Sequence, residues 1–272
     1  SKGGQATMFH RRFYPDDVDA SVPYVAPLNL AREDKRIHQF LDQVGTRQAR
    51  QKIRRFQKNM LAEKAAFLPL FEAYAMEKDY QFTMDLERAF ELTVLEYPFA
   101  FWQWGHVPVS NIPREDDPIQ ERFDHLVKVS SPDFFAEEGI KEMRPFFYQA
   151  MNEIGMYDYR YAPFHEYLDD TTNITFEHTM ADSMEVAFDS TAMRDVHDWL
   201  KKHGNQMMYI YGEQDPWSAT AFTPSEKTDA VKFVNPGGSH RTRIKSFPLT
   251  MQDSIYTVLE KWLDVDIDKE IQ

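Results

Sequence analysis

Two polar residues follow two successive apolar runs near the end of the chain, where parallel strands would stop. The run Met207–Tyr211 is followed by Asp215, and the run Val231–Val234 is followed by His240. In doubly wound sheets, functional groups lie just beyond the carboxyl ends of the strands. An acid and an imidazole on neighbouring strand ends match the last two members of a catalytic triad. There the acid orients the imidazole, which accepts the proton of the nucleophile.

Each of these residues has a plainer interpretation when it is taken alone. An Asp-Pro pair after a strand is often only a turn, and a histidine after Gly-Gly is often a loop residue. The occurrence of both on consecutive strand ends favours the catalytic interpretation, because the two signals are largely independent.

The start of the chain supplies a nucleophile in the expected chain order. α/β-Hydrolases place the nucleophile first, in a G-x-S-x-G turn between a strand and a helix, and then the acid and the histidine. The opening Ser1-Lys2-Gly3-Gly4, followed by a helical segment, matches the second half of this motif. Ser-x-Gly is a frequent sequence by itself, so the order of the three residues decides the interpretation. We expect Ser1 to attack, the Lys2 backbone N–H to stabilise the oxyanion, and Gly3 and Gly4 to permit close helix packing.

Three segments together resemble a known family. Ser1-Lys2-Gly3-Gly4, Tyr211-Gly212-Glu213-Gln214-Asp215-Pro216-Trp217-Ser218 and Gly238-Ser239-His240-Arg241 are similar to the secreted bacterial serine peptidases of the tripeptidyl-aminopeptidase type. These enzymes are similar in plan to prolylcarboxypeptidase and its dipeptidyl-peptidase relatives. The resemblance extends over essentially the whole chain and implies a Ser1–Asp215–His240 triad without a metal cofactor. It also implies a secreted or periplasmic enzyme that releases short peptides from free N-termini.

The family also has a long segment before this serine. That segment holds several strands of the sheet, the glycine that precedes the nucleophile and the second oxyanion donor. The resemblance therefore predicts that this chain is the C-terminal part of an α/β-hydrolase, and that a missing N-terminal segment is needed to complete the fold.

The composition and the spacing of apolar residues divide the chain into three parts. Residues 1–30 are expected to form hydrolase core, with a helix over 1–13 and a buried strand at Val18–Ala26. Residues 31–189 are poor in glycine and show helical spacing as far as about residue 155, which predicts a mainly helical cap over the strand ends. No element is assigned to 155–190. Residues 190–272 return to hydrolase core, with the acid and histidine strands and a closing helix.

The cap contains candidate substrate-binding residues. An aromatic cluster that includes Trp102 and Trp104 indicates core packing or, alternatively, an apolar pocket for a side chain such as proline. Glu91 and Glu96 flank this cluster and could bind the ammonium group of a substrate, although glutamates are common on helix surfaces. A basic run at 47–58 is interpreted as a solvated helix face.

Composition excludes several classes of function. The 272 residues have a net charge of −13, which disfavours nucleic acid as a partner. The chain has no cysteine, so disulfides and thiolate nucleophiles are excluded. No apolar run approaches the ~20 residues that span a bilayer. The histidines lack a metal-binding spacing such as H-E-x-x-H.

The sequence leaves more than one function open. A serine exopeptidase acting on peptides is the leading hypothesis. An esterase-type hydrolase on the same fold is an alternative, because fold does not fix the substrate. A non-catalytic fragment that lacks half of the sheet is another. An N-terminal nucleophile that uses its own amine as the base is set aside, because Asp215 and His240 would then have no role.

Overall fold

A computed structural model of the protein describes residues 1–172, 174–181 and 183–268. The chain separates into two compact units, Ser1–Leu30 together with Ser190–Gln272, and Ala31–Asp189. The main helices are α1 (Lys2–Phe13), α2 (Arg36–Gln43), α3 (Arg47–Ala62), α4 (Lys64–Lys78), α5 (Leu86–Trp104), α6 (Ile119–Val129), α7 (Glu137–Gln149), α8 (Thr191–His203) and α9 (Leu249–Leu263). The strands are β1 (Glu33–Asp34), β2 (Met156–Tyr157), β3 (Met207–Gly212) and β4 (Ala230–Asn235).

The discontinuous unit is built around two parallel strands. β3 pairs with β4 in the register Met207↔Ala230 through Gly212↔Asn235, and every residue of β3 is buried. Side chains alternate across a strand, so Met208 and Ile210 share one face, where they form a core with Ile255 of α9. On the opposite face the ring of Tyr209 lies 4.8 Å from that of Phe222. Burial on both faces explains why the β3 sequence is apolar without interruption.

The segment Val18–Ala26 differs from the predicted strand. It makes only two isolated parallel bridges to β3, Ser21↔Met207 and Tyr24↔Ile210. Pro23 has no N–H to donate to a ladder, and Val25 has a positive φ of 45° that departs from extended backbone. The segment therefore lies beside β3 at a strand position without forming a regular strand.

The unit 31–189 is organised around the long helix α5. Nearly every residue of α5 from Ala89 to Trp102 is buried, and the helix packs against α3, α4 and α6. A helix that is apolar on all sides is typical of the centre of a bundle. In the range 31–150, which is described completely, the only strand is the two-residue β1. The helical texture of this part of the sequence thus corresponds to helices α2–α7.

The stretch that received no assignment from sequence consists of short elements. After Gly155, β2 pairs in parallel with β1, and 3₁₀ turns follow at Ala162–Tyr167 and Phe176–Thr179. Within the described ranges, no helix combines the length and the apolar character needed to cross a membrane.

Candidate active site

Asp215 is held in a fixed orientation just beyond β3. It caps the 3₁₀ turn Pro216–Thr220, and its Oδ1 accepts a hydrogen bond from the backbone N–H of Trp217 at 3.1 Å. The residue is fully buried. Burial raises the pKa of the Asp215 carboxyl, and the hydrogen bond from His240 opposes that rise by stabilising the charged form. The carboxylate is thus shielded from water and forms hydrogen bonds with the Trp217 N–H and with His240.

His240 lies in the loop after β4 and faces this carboxylate. Its Nδ1 is 2.8 Å from the Asp215 Oδ2, the distance of a charge-assisted hydrogen bond. A carboxylate can only accept, so Nδ1 carries the proton and donates it. The other ring nitrogen, Nε2, is then unprotonated and can act as an acceptor or a base.

Glycine at position 212 allows the acid and histidine loops to approach each other. A Cβ on Gly212 would lie 2.5 Å from the carbonyl oxygens of Gly238 and Ser239, which real Cβ atoms essentially never do. Next to this contact, the Gln214 N–H donates to the Gly238 carbonyl at 2.8 Å. Gly237 turns the loop with a positive φ of 65°, a conformation that favours glycine.

Ser1 lies beside the second ring nitrogen of the imidazole, Nε2. Its backbone nitrogen is 3.3 Å from the His240 Nε2. This contact is through the backbone nitrogen, and the contact of the Ser1 hydroxyl with His240 stays a prediction. Ser1 is the N-cap residue of α1, and its side chain makes no capping hydrogen bond. Lys2 is the first residue of α1, so its amide lies at the positive end of the helix dipole.

The two glycines after Lys2 behave differently. A Cβ on Gly4 would lie 2.4 Å from the Tyr24 carbonyl oxygen and 2.7 Å from the Ala26 Cβ. A Cβ on Gly3 would meet nothing within 4 Å. Gly4, rather than Gly3, is therefore the residue that permits close approach of α1 to the segment beside β3.

The four residues predicted to bind substrate lie on α5 in the unit 31–189. Glu91 is buried and already has two cationic partners. Its Oε1 accepts a hydrogen bond from Lys64 Nζ at 2.8 Å, and its Oε2 lies 3.6 Å from Arg88. Trp102 is buried against Gly45, whereas Trp104 is 39 % exposed.

Glu96 has different surroundings from Glu91. Its Oε2 accepts hydrogen bonds from the hydroxyls of Tyr157 at 2.8 Å and Tyr159 at 2.9 Å. Among the described residues, no lysine, arginine or histidine forms an ion pair with it. Burial raises the pKa of Glu96 to about 8, and the two tyrosine hydrogen bonds counteract this rise only in part. It is a buried carboxyl without a counter-charge.

A pocket of this unit lies next to Glu96. Trp102, Tyr157 and Tyr159 contribute to its lining, together with Leu95, Pro98, Phe99 and Phe164. The sequence interpretation missed both tyrosines because they fall in the stretch without an assigned element. The alternation Tyr157-Asp158-Tyr159 after Gly155 was the available signal, since it places two hydroxyls on one face of an extended segment.

Glu87, Glu91 and Asp169 bring carboxylate oxygens within 4.8 Å of one another, a spacing that a metal ion could use. Lys64 Nζ already lies among them, at 2.5 Å from Glu87, 2.8 Å from Glu91 and 2.9 Å from Asp169. The lysine pairs with all three carboxylates and takes the place that a metal ion would need, so the group is an ion-pair network.

The site combines an acid-oriented imidazole with a serine at a helix N-terminus, the arrangement that serves serine hydrolases. Comparison with known proteins identifies a family of peptidases. The sequence model of the family described as PS-10 peptidase S37 matches residues 1–265. The chain therefore belongs to the peptidase S37 family, which confirms the resemblance to peptidases of the tripeptidyl-aminopeptidase type.

One relative can be named. The chain is 26 % identical to the prolyl tri/tetrapeptidyl aminopeptidase of Streptomyces mobaraensis, and the match covers 97 % of this chain. The same match covers 57 % of the relative, so the chain spans a little over half of its length.

Proposed function

We propose that this protein is a serine exopeptidase that releases tripeptides from free N-termini through an acyl-enzyme. The observation that supports this most directly is the alignment of Asp215 Oδ2, the His240 ring and Ser1. The imidazole makes a 2.8 Å contact with the acid on one nitrogen and a 3.3 Å contact with Ser1 on the other.

In the proposed mechanism, rotation about the Ser1 Cα–Cβ bond turns the hydroxyl toward His240 Nε2, a change between staggered rotamers. The imidazole accepts the hydroxyl proton as Oγ attacks the scissile carbonyl carbon, while Asp215 stabilises the resulting imidazolium. The Lys2 N–H donates to the oxyanion. The imidazolium then protonates the departing amine, and water hydrolyses the acyl-enzyme by the same steps.

The substrate class rests on the family and on the named relative. That relative is called a prolyl tri/tetrapeptidyl aminopeptidase, and we assign prolyl tripeptides to this chain on that basis. Export to a secreted or periplasmic location is part of the same proposal, and rests on the resemblance alone.

Glu96 is the better of the two acids for binding the substrate ammonium. Glu91 already has Lys64 and Arg88, whereas Glu96 is a buried carboxyl with no cationic partner in the described residues. Burial disfavours the ionised form of this carboxyl, and a positively charged ligand group beside it would lower its pKa and pair with the carboxylate that forms. Trp102, in the neighbouring pocket lining, supplies apolar surface for a side chain.

We also propose that a further segment of the sheet pairs with the free edge of the segment beside β3. In that segment Ser21, Pro23 and Val25 direct their backbone groups to β3. The amides of Val22 and Tyr24 face away, and no hydrogen bond to either is formed within the described residues. Unpaired amides at a strand edge favour pairing with another strand. Upstream strands of an α/β-hydrolase would supply it.

The proposal is tested by hydrolysis and by labelling of the nucleophile. Three substrates are compared: a fluorogenic tripeptide amide ending in proline, its N-acetylated form and a simple aryl ester. Hydrolysis of each is measured with the chain alone and with the chain together with the upstream region of the full-length protein. With the upstream region present, we expect turnover of the free-amine peptide, covalent labelling of Ser1 by a fluorophosphonate, and loss of both in Ser1→Ala; the chain alone should be inactive. Ser254→Ala, on the exposed side of α9, is the matched control.

Three results would contradict parts of the proposal. Labelling at a serine other than Ser1 would refute the triad. Equal turnover of free and N-acetylated peptides would refute the aminopeptidase assignment. Turnover of the ester alone would favour the esterase-type alternative.

A further inference from the structure

Helix α3 presents a strongly basic surface in an otherwise acidic protein. Its sequence contains six lysines and arginines and no acid, whereas the whole chain has a net charge of −13. Buried residues such as Ile53, Phe56 and Met60 fix the opposite side of the helix in the core. We call the exposed side of α3 the basic face. Five of its cations and Gln51 line one open cleft. The five cations are Arg47, Arg50, Arg54, Arg55 and Lys58.

The basic face forms few ion pairs for a solvated helix face: Glu115 and Asp116 line the adjoining cleft beside Arg55, but neither pairs with a cation of the face in the described residues. Among the described residues that line the cleft, Asp42 is the one acid. Arg160 engages both of its carboxylate oxygens, at 2.5 and 2.8 Å, and this contact lowers the pKa of Asp42. Arg54 reaches Asp42 only at 3.4 Å. Asp42 is therefore paired mainly with Arg160, a residue that does not belong to the basic face.

The remaining cations of the face have other environments. Arg50 donates to backbone carbonyls just after α2, including those of Val44 at 2.9 Å and Gly45 at 2.8 Å. Arg47 and Arg55 are exposed and form no ion pair with any residue in the described ranges. Among the described residues, the contact between Arg54 and Asp42 is thus the one ion pair that the basic face forms.

The position of the charges within α3 is also unfavourable for the isolated helix. Arg47 is the first residue of α3, at the positive end of its dipole, and the first turn contains no acid. Cations there repel the dipole and one another. An anion bound along the basic face would remove both repulsions, and clustered like charges raise the local concentration of such an anion.

We infer that the basic face binds an acidic peptide segment in extended conformation, with carboxylates at alternate positions. The cations and Gln51 lie in two rows of period four, 47/51/55 and 50/54/58. Residues four apart on a helix are separated by about 6 Å along its axis. Alternate residues of an extended peptide are separated by about 6.6 Å. Arginine guanidinium groups also match carboxylates as two-pronged donors.

Two other polyanions fit the surroundings less well. A membrane surface would be expected to meet exposed apolar side chains beside the cations, and the large exposed apolar residues of the protein include none in the range 36–62. A long nucleic acid would extend beyond the basic face onto the rest of a chain with a net charge of −13. A short acidic peptide avoids both difficulties.

The test is binding of a fluorescent peptide to the full chain at low ionic strength. The probe alternates glutamate and serine over ten residues and is blocked at both ends, so it is not an aminopeptidase substrate. Arg47→Glu with Arg55→Glu should weaken binding by about tenfold or more, or ~1.4 kcal/mol. Lys202→Glu with Lys227→Glu makes the same change of charge at exposed sites of the other unit, and should alter binding less than about twofold.

Further probes separate the inference from general attraction to anions. A peptide with the same glutamates in one block should bind more weakly than the alternating one, and a glutamine version should not bind. Equal loss in the control variant, or equal binding of the glutamine peptide, would overturn the inference. Tighter binding of duplex DNA or of vesicles with anionic lipid would overturn it as well.

Discussion

Gly212 and Gly238 lie in direct contact, with no space for a side chain between them. A Cβ at position 212 would lie 2.5 Å from the Gly238 carbonyl oxygen. This contact sets how closely the end of β3, with Asp215, approaches the loop that carries His240. The separation of the acid and the imidazole is therefore fixed by backbone packing as well as by their own hydrogen bond.

The first prediction follows from this contact. Gly212→Ala should push the loop of Gly238 away and lengthen the 2.8 Å contact between Asp215 and His240. Misplacing a catalytic group by ~1 Å can reduce the rate by ~100-fold. We expect kcat to fall by about that factor, with a loss of ~1–3 kcal/mol in the free energy of unfolding. Kinetics with a tripeptide amide and chemical denaturation check this. Unchanged kcat would show that the loop yields without moving His240.

The second prediction compares two glycines of α1. Gly4→Ala should destabilise the protein by ~1–3 kcal/mol, because its Cβ would collide with backbone of Tyr24. Gly3→Ala is the matched control, since its Cβ meets nothing within 4 Å. Alanine is also the better helix former by ~1 kcal/mol, so this variant should keep or increase stability. Denaturant titration measures both. Equal effects of the two changes would refute the close approach at Gly4.

The third prediction concerns the dependence of stability on pH at Glu96. Its pKa is about 8 in the folded protein and 4.5 in the unfolded chain, so the folded state holds the extra proton between these values. Stability must then fall as pH rises from about 4.5 to 8, and level off above. Glu96→Gln removes this dependence and retains an acceptor for both tyrosines. Above pH 8, we expect the free energy of unfolding of this variant to exceed that of the wild type by a few kcal/mol.

The free energy of unfolding is measured against pH for the wild type and for Glu96→Gln. The difference between these two curves isolates the effect of Glu96 from that of the other groups that titrate in this range. It should shrink toward zero as the pH falls below 4.5, where the carboxyl becomes protonated in both states. A difference that is constant from pH 4.5 to 9 would show that Glu96 stays ionised in the folded protein.

The fourth prediction tests the role of Asp215. Asp215→Asn preserves the shape of the side chain, but its amide can donate to Nδ1 and so favour the tautomer that is protonated at Nε2. That tautomer cannot accept the proton of Ser1. In the proposed mechanism kcat should fall by about 10⁴, with little change in KM. Steady-state kinetics provide the measurement, and NMR of the His240 ring reports the tautomer. A fall of less than tenfold would argue against the triad.

The fifth prediction addresses the unpaired edge beside β3. Amides that bond to β3 or to its preceding residue, at Ser21 and Val25, should exchange with solvent more slowly than those of Val22 and Tyr24. When the upstream region of the protein is present, the latter two should become protected. The proposal also predicts that the 272-residue chain alone is poorly soluble and inactive. Hydrogen exchange and solubility, measured with and without that region, check this. Equal protection of all four amides in the isolated chain would contradict an open edge.

The sequence alone determined where the chemistry of this chain could lie. An unbroken apolar run predicted β3 because a strand buried on both faces has no polar side. Asp215 and His240 were recognisable because they follow two strand-like runs in the chain order of a triad. Helix α5 and its neighbours could be anticipated from their period and their lack of glycine. These are local patterns, and local physics produces them.

The tertiary structure decided everything that depends on the partner of a residue. Glu91 and Glu96 look alike in sequence, yet the first pairs with Lys64 and Arg88, whereas the second accepts hydrogen bonds from two tyrosine hydroxyls. The segment at Val18–Ala26 reads as a strand, but Pro23 and the backbone of Val25 leave it with two bridges. Partners distant in sequence leave no periodic trace, because their approach is set by the packing of whole elements. Burial, charge pairing and the reach of His240 to Ser1 could therefore be read only from the folded chain.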